Sequence, residues 1–460
     1  MKKFLNFCSK NKMFLGLGII SILLFLTQLW QPIEWVSAVM IFAFAIICSV
    51  SEVFCLNMFL MAFSGVGFQF IVGIVSGLVS LLIKYIIDLK NKKKKVFKLP
   101  LILSAIILIV YSVFNYGVDY EGVTFGLMII YIIALVYFVF VFKKEIDISK
   151  CFTYLLCGLV VSVALSVVSL PFDSFNKELY HFDGTYKRFH LLTFHMNNLS
   201  IHSMFLIAYS IYSIFNKKRK LWIDIVSIVV ALALGIATMS KAFLLITALC
   251  LVYLVVCLIE KFKKRSIKYI LCLAGVVIVA LIVGWRFIDN ILNRFFLYFK
   301  EGSILNMLTT GRADIWKGYL KEWTSSPAKI FFGVGMFTKQ PMFSSAHNVW
   351  IFLLHRFGLV GICLIAFLVY AYIKESDSKF KISLYNVLVF GLWFIVSIEE
   401  NVLSDQFAIY LMFGIILMLK NKNNEETNQT IDETSVCLVD NNKKIEDNKN
   451  IENAKILDEK

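Results

Sequence analysis

The chain has 460 residues, of which 59% are hydrophobic and only 17% charged, with a net charge of +15 and a mean hydropathy of +0.78. Soluble domains carry about 45–50% apolar residues, so a water-soluble globular protein is excluded. Nor is the positive charge a nucleic-acid footprint, because the basic residues sit in short runs between apolar stretches and form no soluble basic face with interleaved aromatics.

A membrane helix needs about 20 apolar residues to cross the hydrocarbon core. By that measure spans are expected at about 13–30, 33–50, 53–68, 70–87, 99–117, 123–142, 151–170, 199–215, 221–238, 242–259, 269–286, 359–373, 383–398 and 407–420. Between 33 and 87 the count is open, since "SGVGF" (64 to 68) reads either as a hairpin turn or as a glycine-flexed stretch of one helix. The expectation is therefore 12 to 14 transmembrane helices in one all-α polytopic membrane domain, residues 1–420. The first apolar run lacks a small-residue cleavage site, and further spans follow it at once, so it reads as a retained helix and not a signal peptide. The cysteines, Cys48, Cys151, Cys257 and Cys437 among them, fall in apolar runs or at expected cytoplasmic ends and imply no external disulfide framework.

Charge orients the chain. Lys2, Lys3, Lys10 and Lys12 precede the first span, and "KNKKKK" (90 to 95), "NKKRK" (216 to 220) and "EKFKKRS" (260 to 266) separate later ones. The positive-inside rule makes these segments, and both termini, cytoplasmic. Residues 421–460 carry six Lys against ten Asp and Glu, so the tail's −4 leaves +19 on the first 420 residues. That tail has too few large apolar residues to bury a core and is expected to be a disordered cytoplasmic extension.

The opposite face receives two long loops, 171–198 and 287–358, with the turn "ATMSKAF" (237 to 243) between them. Its other connections, "DYEG" (119 to 122) and "EENVLSDQ" (399 to 406), are short, whereas loops beyond about 15 residues are functional or disordered. The larger loop contains Trp316, Trp323, Phe331, Phe332 and Trp350. In "DIWKGYLKEW" (314 to 323), Ile315, Tyr319 and Trp323 form the stripe of an amphipathic helix lying along the interface or capping the bundle.

The polar groups on these loops are the candidates for chemistry. Arg188 precedes the eighth span and suits either interfacial snorkelling or an anionic ligand. Lys241 stands alone at a tight turn between apolar helices, where an ionisable group snorkels or has a function. Arg312 follows Gly311 at a helix start, with Thr309 or Thr310 as cap and Asp314 in the first turn. Helix N-termini also bind phosphate, and a neighbouring Arg adds a bidentate donor. His347 is the last polar group of the large loop before an apolar run. A neutral imidazole suits general-base work as well as ordinary hydrogen bonding. Asn348 beside it is placed to orient a sugar hydroxyl or hold the imidazole tautomer. His355 and Arg356, two turns on, read as structural.

Two metal readings compete. Asp119 and Glu121 in "DYE" have an acid-x-acid spacing that can hold a divalent cation with a diphosphate. His181, His190, His195 and His202 cluster within 22 residues, but without a tight ligand pattern or HExxH. No P-loop, nucleotide fingerprint or nucleophile elbow occupies a usable loop, which argues against cytoplasmic nucleotide-sugar chemistry.

Arg188 ahead of a span, "TMSKAFLLI" (238 to 246), "TTGRADIWKGYLKEWTSSPAKIFFGVG" (309 to 335) and "AHNVWIFLLHRFGLVGI" (346 to 362), in that order, resemble the O-antigen ligase and polymerase superfamily of bacterial membrane glycan transferases. The resemblance covers about residues 184 to 364. It implies a helical fold related to the C-type glycosyltransferases, working at the outer face of a bacterial cytoplasmic membrane. It implies a polyprenyl-diphosphate-linked oligosaccharide as donor and as acceptor, and no cofactor or metal. Membrane lipids, a flippase and a chain-length regulator are the implied partners, with no nucleic acid. By position, His347 matches the family's essential loop histidine, which activates the acceptor hydroxyl. Arg188 matches an arginine assigned to the diphosphate. Lys241 falls where the family commonly has Arg, keeping the charge but losing the fork, and Arg312 matches a recurring position that shapes the loop or holds the donor. The implied activity is polymerisation of repeat units into capsule, exopolysaccharide or O-antigen. A ligase moving finished glycan to another acceptor is the alternative, and a transporter or lipid flippase the reading from a different class.

Overall fold

A computed structural model describes residues 11–30, 32–65, 67–113, 115, 118, 120–168, 180–183, 186–189, 192, 196–262, 275, 312–338, 346–376, 378–380, 391, 396 and 408–421. Apart from single residues, the expected spans at 269–286 and 383–398 lie outside the described residues, as do almost all of the tail and Lys263, His190, His195, Asp119, Thr309 and Thr310.

Among the described residues, the multi-pass membrane protein is all-α apart from four short strands. Its helices are α1 (Lys12–Leu29), α2 (Ile33–Ile47), α3 (Val50–Leu60, tightening into a 3-10 turn Met61–Phe63), α4 (Gly67–Lys90), α5 (Lys98–Val113), α6 (Tyr120–Val141) and α7 (Ile148–Val168). The hairpin β1 (Tyr180–Asp183) and β2 (Tyr186–Phe189) follows, then α8 (Met196–Asn216), α9 (Leu221–Ala237), α10 (Lys241–Phe262), α11 (Arg312–Trp323), α12 (Pro327–Phe332), α13 (Val349–Glu375), β3 (Ser378–Phe380), α14 (Ala408–Met418) and β4 (Leu419–Asn421). Among the described residues, five helices are long and apolar enough to span a bilayer, within α4, α6, α7, α8 and α13, and seven shorter apolar helices accompany them. "SGVGF" is a turn: Ser64 and Gly65 end the 3-10 segment and Gly67 opens α4.

Local chemistry explains several boundaries. Ser49 and Glu52 form a reciprocal capping box at the start of α3, and Glu52 also pairs with Lys12 at 2.6 Å. Phe14, Trp35, Ile109 and Val113 stand exposed on their helices, apolar surface that lipid covers and water would not.

At the centre stands α8. Nearly all of its side chains are buried, although it is rich in serine. Ser203 and Ser210 donate to the carbonyls of Leu199 and Leu206 four residues back, so their hydroxyls are satisfied within the helix. Tyr209 stacks on Phe152 of α7 at 4.1 Å and Phe205 on Tyr410 of α14 at 4.5 Å. A methyl on Gly158 of α7 would meet the Phe59 carbonyl at 2.5 Å, so that glycine lets α3 and α7 touch by their backbones.

Hydrogen bonds between helix ends define two faces. On the lysine-rich face, Glu375 accepts from Leu99 N at 2.9 Å, Lys143 donates to Ser376 O at 2.6 Å, Lys94 to Val141 O at 3.2 Å and Ser149 to Lys218 O at 3.1 Å. There β3 pairs with β4, placing the end of α14 beside the end of α13. On the opposite face, Gly65 N donates to Leu192 O at 2.9 Å, Met336 N to Tyr111 O at 3.1 Å and Phe337 N to Asn115 Oδ1 at 2.7 Å. Lys92 and Lys218 thus lie on one face, while Leu192, the α9–α10 turn and residues 312–338 and 346–348 gather on the other.

Candidate functional site

The second face carries a folded cap made of α11, α12 and residues 333–338, docked on the first half of α13. Arg312 opens α11 and Asp314 lies in its first turn, as the helix-start reading expected. Ser326 caps α12 through its hydroxyl, with Pro327 at the first helical position. The GxG that follows is a turn only glycine can make: Gly333 has φ +73 and Gly335 φ +102, and a methyl on Gly333 would lie 2.4 Å from the Arg356 carbonyl.

The cap rests on a break in α13. At Gly358 the backbone leaves helical geometry, with φ +59 and ψ −170. Such a break turns the carbonyls of the preceding turn outward. Val334 N donates to His355 O at 2.8 Å and Gly335 N to Arg356 O at 3.1 Å, so the GxG loop supplies the partners. Arg356, fully buried, answers in the other direction by donating from Nη1 to the carbonyls of Gly335 and Thr338. The guanidinium also lies over the Phe352 ring at 5.7 Å.

His355 is equally buried. Its Nε2 lies 3.1 Å from Glu322 Oε2 of α11, and its ring meets Tyr319, also of α11, edge-on at 4.8 Å. An ionised Glu322 requires the proton on Nε2. That hydrogen bond, with the nearby positive charges, holds the Glu322 carboxyl below its usual range, against the opposing effect of partial burial. The expectation that His355 and Arg356 are structural agrees with these contacts. The span beginning near 359 is instead a helix starting at Val349, so both residues lie within it.

Just above, at the tip of α13, stands His347. Its φ is +45, the left-handed region that costs a side-chain-bearing residue about 1–2 kcal/mol. Ala346 before it is fully buried, and its carbonyl accepts the indole N–H of Trp316 at 2.8 Å. Asn348 after it is the N-cap of α13, its Oδ1 accepting from Trp350 N at 2.9 Å and Ile351 N at 3.1 Å. The Asn348 oxygen is thus engaged with backbone, and the residue is buried. His347 itself is half-buried.

Of the other predicted site residues, Arg312 lies one turn before Trp316, and i and i+4 share a helix face, so it stands on the side of α11 turned towards residue 346. Lys241 is the first residue of α10, half-buried, after a turn in which Met239 has φ +50 and Ser240 caps through its hydroxyl to Phe243 N. Arg188 lies in β2 opposite His181, in the hairpin leading into α8. The structure therefore brings His347, Asn348 and Arg312 to one docking surface and puts Lys241 and Arg188 on the same face of the bundle. Of the histidine cluster, His202 is fully buried with Nδ1 2.7 Å from the Tyr410 hydroxyl, well inside the bundle. Glu121 falls in the first turn of α6, not in an open loop.

Sequence reasoning missed Trp316. It counted among the loop's aromatics, while the expected buried stripe was Ile315, Tyr319 and Trp323. Of that stripe Tyr319 is fully buried and Ile315 packs against the core, and the face that meets α13 adds Trp316 and Glu322 to it. Beside the cap, Phe331, Leu359, Val360, Cys363, Leu364 and Phe367 line an open apolar groove on the surface of the bundle. No family model matches the chain, and no curated protein matches its sequence.

Proposed function

We propose that the chain is a membrane glycan transferase that polymerises polyprenyl-diphosphate-linked repeat units at the outer face of a bacterial cytoplasmic membrane. The observation that carries this reading is the held left-handed backbone of His347, on the same face as Arg312, Lys241 and Arg188. Strain of this kind persists only where surrounding structure over-determines it, and it concentrates at functional sites.

In this reading an acceptor hydroxyl gives its proton to His347 as its oxygen attacks C1 of the donor sugar. The bond between C1 and the diphosphate oxygen breaks, and the leaving polyprenyl diphosphate takes the electron pair. Arg188, Lys241 and Arg312 stabilise the charge that develops there, in a site of lower dielectric than water. The Asn348 amide group orients the hydroxyl. The apolar groove beside the cap supports a substrate whose tail stays in the bilayer.

The test is elongation of a defined lipid-diphosphate oligosaccharide by the purified full chain, with chelator present. The wild type extends the glycan. His347→Ala, folded as judged by elution and thermal midpoint, loses roughly 10²–10⁴-fold, the scale of removing a general base. Normal elongation by His347→Ala overturns the assignment, and loss of wild-type activity in EDTA turns attention to Asp119 and Glu121. Transfer only onto an acceptor of a different kind identifies a ligase, and translocation without a new bond a transporter.

A further inference from the structure

We infer that Trp316 is a positioning residue for His347, a role that rests on the reading of His347 as the base. The argument starts from the backbone. The φ of His347 and the ψ of Ala346 are the two rotations on either side of one peptide plane, so the plane can flip with little movement of the chain around it. Flipping it would return His347 to negative φ and relieve its strain, swinging the Ala346 carbonyl to the other side. The Trp316 indole N–H holds that carbonyl at 2.8 Å. On the far side, Asn348 is fixed to the start of α13 by its own cap and by the bond from Phe352 N to its carbonyl at 3.0 Å. Breaking the Trp316 bond therefore frees the rotation that sets the φ of His347, and with it the χ1 rotamers open to the imidazole.

Trp316 also stands on a fixed support. Trp316, Tyr319 and Glu322 follow one another at three-residue steps along one side of α11, and Tyr319 is fully buried against His355 while Glu322 meets the His355 Nε2. His355 lies on α13 two turns from His347. The register between α11 and α13 is thus set by the Glu322–His355 contact below and transmitted by the indole above, so the cap helix aims the base without touching substrate.

The test separates the indole N–H from the indole's bulk. Trp316→Phe removes the donor and keeps a ring. A full chain carrying 3-benzothienylalanine at position 316, in which sulfur replaces N–H in the same shape, keeps the fold if Phe does not. Each is read in two ways: steady-state elongation kinetics, and the ¹³Cα resonance of His347 in histidine-labelled protein in micelles, identified by its absence from His347→Ala. The expected result is a kcat lower by roughly 10–100-fold, the cost of misplacing a reacting group by about 1 Å, with KM within about twofold because no ground-state contact is lost. The His347 resonance should move towards the value for negative φ. In the His347→Ala background the Trp316 change should have no further effect on rate. An unmoved resonance overturns the positioning role whatever the rate. A moved resonance with wild-type kcat overturns His347 as the base, and with it the catalytic part of the inference.

Discussion

Replacing Gly358 by Ala should unseat the cap from α13. The residue sits at φ +59 and ψ −170, a region open essentially to glycine, where a side chain costs of order 1–3 kcal/mol. Space is the second obstacle. A methyl there would lie 2.5 Å from Gly333 N and 2.5 Å from the Phe331 carbonyl oxygen, both backbone atoms that cannot swing aside. Overpacking of that kind typically adds about 1–3 kcal/mol, so the whole penalty is about 2–6 kcal/mol when both effects are counted. The loss should fall on the contacts that depend on the break: Val334 and Gly335 on the carbonyls of His355 and Arg356, and Arg356 on the carbonyls of Gly335 and Thr338. Thermal denaturation of the purified chain in one detergent, followed by the fraction still eluting as folded protein, reads the midpoint. Limited proteolysis within 312–338 reads the cap itself. Gly18→Ala is the control, because Gly18 lies inside α1 with nothing within 4 Å of the added methyl. A Gly358→Ala protein that melts with Gly18→Ala and keeps its cap protected would refute the reasoning, since it would mean that α13 runs unbroken through residue 358.

Two other perturbations test the energetics of buried charge. Because Glu322 is held below the ordinary value of 4.5, the ionised carboxylate contributes stability that is fully present above that pH and is lost as the pH falls through its folded value. The wild-type melting midpoint should therefore drop below about pH 4.5 more steeply than that of Glu322→Gln, and parallel curves would show that the His355 contact does not favour the ionised form. On the lysine-rich face, Arg219 Nε donates to Asp224 Oδ1 at 2.7 Å with both side chains almost fully buried. Asp224→Ala alone should destabilise by about 3–5 kcal/mol by leaving an uncompensated buried charge, whereas Arg219→Met with Asp224→Leu should recover most of it. An equally damaged double variant would show that the pair supplies stability an apolar replacement cannot.

What the sequence determined by itself is whatever follows from local pattern. Apolar runs of bilayer length placed most of the described membrane helices within a few residues, α13 excepted, because a backbone in lipid must satisfy its hydrogen bonds internally and the helix does so segment by segment. The amphipathic helix at 314–323 and the Asp314 first turn were legible for the same reason. Tertiary structure decided the rest. Nothing local to "HRFGLVG" says that Gly358 breaks a helix, because the broken carbonyls are satisfied by Val334 and Gly335, more than 20 residues earlier in the chain. The stripe residues Ile315 and Tyr319 pack inward as the sequence suggests, but that Trp316 and Glu322 also meet α13 is decided by the contacts with Ala346 and His355. His347 was legible as a candidate by residue type and place, but its left-handed backbone was not. That conformation belongs to a peptide plane held by an indole 30 residues away, and an interaction between distant segments leaves no period in the sequence.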